Sequence, residues 1–309
     1  MIETVRLPPP AVPGCRVGVA ALSGPVDPVR LEAGLRELER LGFDPVPAPN
    51  LASRHGLFAG PDEERLAAFH ELASDPSLAA IVFARGGHGL LRLLPRFDWE
   101  LLTRHPRAYV GYSDLTPFLL QVVQRLGLVA FHGPMVATDL ARGLSPDEED
   151  SFLAALAGRP LDLPVHPVPW DPATLPPIEG VLLGGCLSLL ASLPGTPWAP
   201  DLTGSLLFWE EVAEPLYRVD RMLTHLELAG WLGTLAGMVV GRVTPPRDPE
   251  EAERLTRGLD GVLAERAAAF GLPVATGLPV GHEAPNWTVP LGVRARLVEG
   301  AVRLEVGVA

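Results

Sequence analysis

The chain has 309 residues, 47% of them apolar and 20% charged, a length that accommodates two domains with a core each. Its formal charge of −12, with no basic stripe, excludes a phosphate-backbone binder, so no nucleic-acid partner is expected. The opening MIETVRLPPP lacks the apolar core of a secretory signal, and no apolar run reaches the ~18–20 residues that cross a bilayer, so no membrane partner is expected either. Cys15 and Cys186, far apart and each in an apolar setting, read as small core thiols of a reduced, cytoplasmic protein. All 25 basic residues are arginine, which excludes a lysine base or Schiff-base former.

GCRVGVAAL reads as a first strand running into SGPVDP. Asp27 is then an N-cap with Pro28 at the first helical position. Leu31, Leu35, Leu38 and Leu41 recur at helical spacing, charged residues fill the other face, and Gly42 supplies the stop. A short strand around Pro45–Val46 precedes an acidic-started helix from Pro61 to about Ser74. LAAIVFA and AYVGY read as buried parallel strands, the stretch from Ser113 to Leu126 as a helix, and LVAF as another strand. Ser145, Pro146 and Glu148 predict a capping box opening a helix that ends at Gly158. This alternation implies an α/β, doubly wound sheet with right-handed crossovers.

Between Arg159 and Pro177 lie seven prolines, which forbid a regular helix and favour an extended linker. The expected organisation is a first domain over 1–158, a linker over 159–177 and a second domain over 178–309. In the last, GVLLGG, SLLFWEEV and GMVVGRV read as strands, 217–228 and 249–270 as helices, and VRARLVEGAVRLEV as a hairpin about Glu299-Gly300.

The sharpest chemical signal is VGYSDLTPFLLQ, which sets Ser113 on a turn between a strand and a helix. Backbone N–H groups and the helix dipole favour developing negative charge there. The pattern approaches a nucleophile elbow without its last glycine, and a serine that merely caps the helix is the rival reading. ARGGHGLLRLL follows the strand IVFA, and its glycines permit close backbone approach, as half of an oxyanion hole, a phosphate cradle or a bare turn. A phosphate cradle lacks its Lys and Ser/Thr pair here.

A serine nucleophile needs a base and a group to orient that base. Of eight histidines, His55, His70, His105 and His166 read as surface or structural, and His88, His132 and His225 as packing residues. His282 differs, standing in a Gly/Pro/Asn-rich loop, GLPVGHEAPNWTVPLG, where catalytic bases tend to sit. Glu210 and Glu211 end the apolar strand LLFWEEV, and strand alternation sends them to opposite faces, one toward a cleft and one to solvent. A solvated strand end is the plainer alternative. HExxH and clustered Cys/His spacings are absent, so neither a metal nor another cofactor is expected.

Seven blocks in order, AALSGPVD, ARGGHGLLRLL, VGYSDLT, FHGPM, LLGGCLSLLASLPGTPW, LLFWEEVAEPLYRVDRMLTHLE and PVGHEAPNWTVPLG, resemble the LD-carboxypeptidase family of serine peptidases, the S66 type. That family includes muramoyl-tetrapeptide carboxypeptidases and microcin-C immunity peptidases. The resemblance implies a flavodoxin-like N-terminal domain and a β-rich, swivelling β/β/α-like C-terminal domain, with the triad assembled across their interface in a homodimer. Carried over by position, it puts the nucleophile on Ser113, the triad glutamate on Glu210 and the triad histidine on His282. The oxyanion donors fall on the backbone of Gly87 and Asp114. It implies a peptide substrate, a murein tetrapeptide cut before D-Ala, with a microcin-type aminoacyl-nucleotide amide or a non-catalytic binding protein as alternatives. Arg85, Arg218 and Arg221 are candidates for a substrate carboxylate, although each also suits a structural ion pair. Cys186, where relatives often carry Asn, and Trp287, in place of a smaller aliphatic, depart from the family pattern.

Overall fold

The apolar runs of the first half become strands with almost no exposed residue, the pattern of parallel strands that have no polar face to turn outward. The computed structural model describes residues 5–167, 178–298 and 301–305, which divide into two compact units. One unit comprises the described residues up to Arg159 together with Trp287–Leu291. Its elements are β1 (Arg16–Ala20), α1 (Pro28–Arg40), β2 (Asp44–Pro47), α2 (Asp62–Ser74), β3 (Leu78–Phe83), α3 (Trp99–Arg104), β4 (Ala108–Gly111), α4 (Thr116–Leu126), β5 (Ala130–His132) and α5 (Pro146–Leu156). The five strands run parallel in the order β2–β1–β3–β4–β5, the flavodoxin-like order of a doubly wound sheet.

Local sequence sets where these helices begin. The Asp27 carboxylate accepts the Val29 and Arg30 N–H groups at 2.9 Å each, and Pro28 occupies the first turn of α1. The Ser145–Glu148 capping box opens α5. Because the strand order reverses direction between β1 and β3, the loops after these two strands lie side by side at the carboxyl ends, where ligands bind in such sheets. The Gly24 N–H donates to the Gly86 carbonyl at 3.1 Å and joins them. Beneath, Phe118 of α4 packs its ring against Phe69, Phe83, Phe97 and Tyr109, with centroids 4.9–5.6 Å away. That aromatic core seats α4 on the sheet.

The second unit comprises the described residues of Pro160–Asn286 and those from Gly292 onward. Its elements are β6 (Leu161–Pro164), β7 (His166–Pro167), β8 (Ile178–Cys186), α6 (Leu187–Leu190), β9 (Ser205–Val212), α7 (Leu216–Leu228), β10 (Gly237–Thr244), α8 (Pro249–Phe270) and β11 (Val274–Thr276). After β12 (Val289–Leu291), which belongs to the other unit, come β13 (Arg294–Val298) and β14 (Ala301–Glu305). The eight-stranded sheet has the order β6–β14–β13–β8–β9–β10–β11–β7, with a parallel centre β8–β11 and antiparallel flanks.

Two segments fold differently from the sequence expectation. The stretch expected as linker contains β6 and β7, which form the two outer edges of the mixed sheet. Proline lacks the N–H that an inner strand must donate, so proline-rich strands are confined to edges. Residues 168–177 of that stretch lie outside the described residues, as does the Glu299-Gly300 turn, although β13 and β14 pair antiparallel as a hairpin requires. The second difference is β12. It pairs antiparallel with β5 at the edge of the six-stranded sheet, so the chain returns to the first unit inside the span expected to be all second domain. Pro290 hides this strand in the sequence and is tolerated because β12 is terminal in the sheet. Among the described residues no helix is long and apolar enough to cross a membrane.

Phe118 is fully buried at the centre of the aromatic core. Phe118→Ala is expected to lower unfolding stability by about 3–5 kcal/mol, read from the shift of a urea midpoint against wild type.

Candidate active site

Ser113 has φ of +62°, a left-handed conformation that costs a non-glycine residue energy and that marks sharp strand-to-helix elbows. It opens a single 3₁₀ turn, Ser113–Leu115, between β4 and α4. The cap position of α4 falls on Leu115, which offers no side-chain cap, so Ser113 does not stand at the position that the rival reading gave it. The strained turn displays the serine at the carboxyl end of a central strand and ahead of the N–H groups of α4.

The loop after β3 packs directly on this turn. A Cβ on Gly86 would lie 2.9 Å from the Ser113 Cβ, 3.1 Å from its Oγ and 3.4 Å from the Asp114 nitrogen, so only glycine fits. Gly87 follows with φ of +123°, again a glycine conformation. The backbone at Gly86 therefore lies against Ser113 and Asp114, and that at Gly87 lies against Gly24 in the loop after β1. The Asp114 carboxylate, itself buried, accepts the Leu90 N–H at 2.9 Å and ties the far end of the glycine loop to the serine turn.

In the second unit, Glu210 near the end of β9 is 0% exposed, and its Oε2 lies 2.7 Å from the Nδ1 of His282. The other oxygen, Oε1, has no hydrogen-bond partner among the described residues. The loop that carries His282 is fixed by two hydrogen bonds at the residues just before it. Arg242 N–H on β10 donates to the Val280 carbonyl at 2.8 Å, and Gly281 N–H donates to the buried Asn286 Oδ1 at 3.1 Å. A buried carboxylate set on one imidazole nitrogen orients the ring and leaves Nε2 to exchange a proton. The unit thus holds a partly exposed imidazole oriented by a buried carboxylate.

A family model described as the LD-carboxypeptidase N-terminal domain matches residues 17–133, and one described as the LD-carboxypeptidase C-terminal domain matches residues 179–297. The chain belongs to the LD-carboxypeptidase family. A murein tetrapeptide carboxypeptidase of Pseudomonas aeruginosa is 36% identical over 303 residues, 93% of this chain and 94% of that protein. The crystal structure of a muramoyltetrapeptide carboxypeptidase from Oxalobacter formigenes matches with a TM-score of 0.83 at 30% identity, over 95% of this chain and 99% of that one. The microcin C7 self-immunity protein MccF of Escherichia coli is 25% identical over 322 residues, 92% of this chain and 91% of that protein. The protein is accordingly a serine-type LD-carboxypeptidase.

Within this family member, Glu211 departs from the sequence expectation. Strand alternation sends one of the glutamate pair to solvent, yet both are buried. Glu211 accepts the N–H groups of Ser188 and Val212 at 2.6 and 2.9 Å, which gives its carboxylate a place inside the unit. Cys186 sits beside it, with Sγ 3.7 Å from each Glu211 oxygen and 3.2 Å from the Ser188 Oγ. Burial, reinforced by the Glu210 and Glu211 charges, pushes this thiol well above its usual range and keeps it neutral. Cys186 is the core residue expected, whereas Cys15 is half-buried rather than part of the core.

The three arginines differ in their engagements. Arg85 donates through Nε to the Gly86 carbonyl at 3.2 Å and through Nη1 to the Pro25 carbonyl at 3.0 Å, bracing the two switch-point loops. Arg218 is exposed and pairs with Glu214 at 2.8 Å, and Arg221 lies over the Tyr217 ring at 5.2 Å. Trp287 is half-buried at the start of the segment that returns to the first unit. Among the histidines, His70 accepts the Asp98 N–H at 3.1 Å, and burial, against the pull of Asp98, lowers its basicity. His132 is buried on β5. Sequence reasoning missed the Asp114 side chain, because an acid at the start of a helix reads simply as a partner for the helix dipole. It also missed Arg65, a fully buried arginine whose Nη1 donates to the carbonyls of Leu22 and, at 3.4 Å, Gly89.

Burial, together with the Glu210 charge and against the bonds from Val212 and Ser188, holds the Glu211 carboxyl above its ordinary value of 4.5. A carboxyl whose folded pKa is raised stabilises the fold below its unfolded pKa and loses that contribution as pH rises through the folded one. Glu211→Gln, which stays neutral, is therefore expected to gain stability relative to wild type as pH rises from the ordinary carboxyl value of 4.5 towards neutrality, read from paired denaturant curves. A difference that stays constant across that range contradicts it.

Proposed function

We propose that the protein hydrolyses the bond between the L-centre of a diamino acid and a terminal D-Ala in murein tetrapeptides, with Ser113 as nucleophile, His282 as base and Glu210 as the group that orients it. The observation that carries the reading is the part-buried 2.7 Å hydrogen bond between His282 and the buried Glu210 carboxylate. The left-handed Ser113 turn and the glycine loop packed on it support the same chemistry. The murein substrate comes from the names of the Pseudomonas and Oxalobacter relatives. A cytoplasmic homodimer engaged in wall recycling is part of the same proposal.

His282 Nε2 takes the Ser113 hydroxyl proton as Oγ attacks the scissile carbonyl carbon. The carbonyl oxygen becomes an oxyanion, held by the N–H groups of Gly87 and Asp114, where loss of one donor costs about 3–4 kcal/mol of transition-state stabilisation. Protonated His282 then gives its proton to the leaving nitrogen, D-Ala departs and an ester to Ser113 remains. Water, deprotonated by His282, hydrolyses the ester and restores the free hydroxyl. Throughout, Glu210 accepts the imidazole N–H at Nδ1 and stabilises the imidazolium that forms.

Mass spectrometry of a murein tetrapeptide ending in D-Ala tests the reading. Wild type is expected to release one alanine, and Ser113→Ala to fall by at least about 10⁴-fold. An unchanged peptide with wild type overturns the murein substrate and makes aminoacyl-nucleotide amides the next class to assay. Equal cleavage by both proteins overturns Ser113 as nucleophile.

A further inference from the structure

We propose that Asp114 is a positioning residue whose side chain fixes one half of the oxyanion hole while its backbone supplies the other. The inference deepens the serine mechanism proposed above and rests on it. The glycine loop is poorly self-supporting. Gly87 and Gly89 have φ of +123° and +119°, both reached with little bias by glycine alone, so the segment is costly to order in a single conformation. The Gly87 N–H counts as a donor only if the loop is held, because an oxyanion donor acts by being aimed before the charge develops.

Two buried charged side chains hold it. Asp114 is 2% exposed and accepts the Leu90 N–H at 2.9 Å, three residues beyond Gly87. Breaking a buried hydrogen bond leaves its groups unsatisfied, so this one is costly to lose. Arg65 grips the preceding residue from α2, with Nη1 donating to the Gly89 carbonyl at 3.4 Å and to the Leu22 carbonyl in the loop after β1. Its Nη2 pairs with Asp62 at 2.6 Å, so the guanidinium is itself fixed. Arg65 serves the frame of both loops, but only Asp114 belongs to the serine turn. Its carboxylate makes the distance between the two proposed donors a property of one residue. Any displacement of the glycine loop from the serine turn breaks the Asp114–Leu90 bond.

Replacing the side chain leaves the Asp114 N–H in place, so the loss isolates the positioning role. In single-turnover and steady-state assays on the tetrapeptide, Asp114→Ala is expected to lower kcat by roughly 10²-fold, toward the loss of one oxyanion donor, with KM changed less than about threefold. Asp114→Asn keeps an acceptor oxygen for Leu90 and is expected to recover kcat to within about fivefold of wild type. Hydrogen exchange of a peptide spanning residues 86–92 is expected to quicken in the alanine variant and return in the asparagine variant. Should Asp114→Ala not fold, Asp114→Ser, too short to reach Leu90, carries the same expectation. Wild-type kcat in a folded alanine or serine variant overturns the proposal. So does an asparagine variant as inactive as alanine, which would assign the effect to the charge. A Ser113→Ala control that retains activity instead rejects the serine mechanism, and so separates that failure from this one.

Discussion

A carboxylate removed from water must be compensated, and the 2.7 Å hydrogen bond that Glu210 accepts from His282 is where this molecule meets that demand. Much of the second unit can be read as its support. β9 is buried along nearly its whole length and delivers Glu210 to the carboxyl end of the parallel centre. β10, alongside, clamps the loop before His282 through Arg242, and Asn286 clamps it at Gly281. Glu211 takes two backbone N–H groups of its own and Cys186 stays a neutral thiol, so neither competes for the imidazole. The other oxygen of Glu210 has no hydrogen-bond partner among the described residues.

The first unit answers a different constraint, the cost of a serine held in a left-handed turn. Such strain persists only where surroundings over-determine it. Here they do so with a fully buried aromatic core under α4, a glycine that admits no Cβ against Ser113, and the Asp114–Leu90 bond. The flavodoxin-like strand order brings the loops after β1 and β3 together beside β4, so the topology delivers backbone N–H groups to the place where the serine is displayed.

Short-range chemistry was the legible part of this chain. The Asp27 cap, the Ser145–Glu148 box and the buried strands can be read from a few adjacent residues, because caps and strand periodicity are local. The strand–turn–helix at Ser113 was legible for the same reason. What escaped depends on partners distant in sequence. The burial of Glu211 follows from the Ser188 N–H, which alternation along β9 cannot reveal. The return of β12 to β5 joins positions more than 150 residues apart, behind a proline that argues against a strand. Asp114 and Arg65 look like ordinary surface charges until Leu90, Leu22 and Gly89 are placed around them. The LD-carboxypeptidase family was legible because seven short blocks occur in one order, a pattern that no single block carries.

The central claim is that Glu210 acts through His282 to activate Ser113. Reaction with a fluorophosphonate tests it without reference to any substrate, by intact-mass rates on wild type and Glu210→Gln and by peptide mapping of the adduct. The account predicts a single adduct on Ser113 in wild type and labelling slowed by at least about 10²-fold in the glutamine variant, which keeps the shape but not the charge. An adduct on another residue, or equal rates in the two proteins, would contradict it.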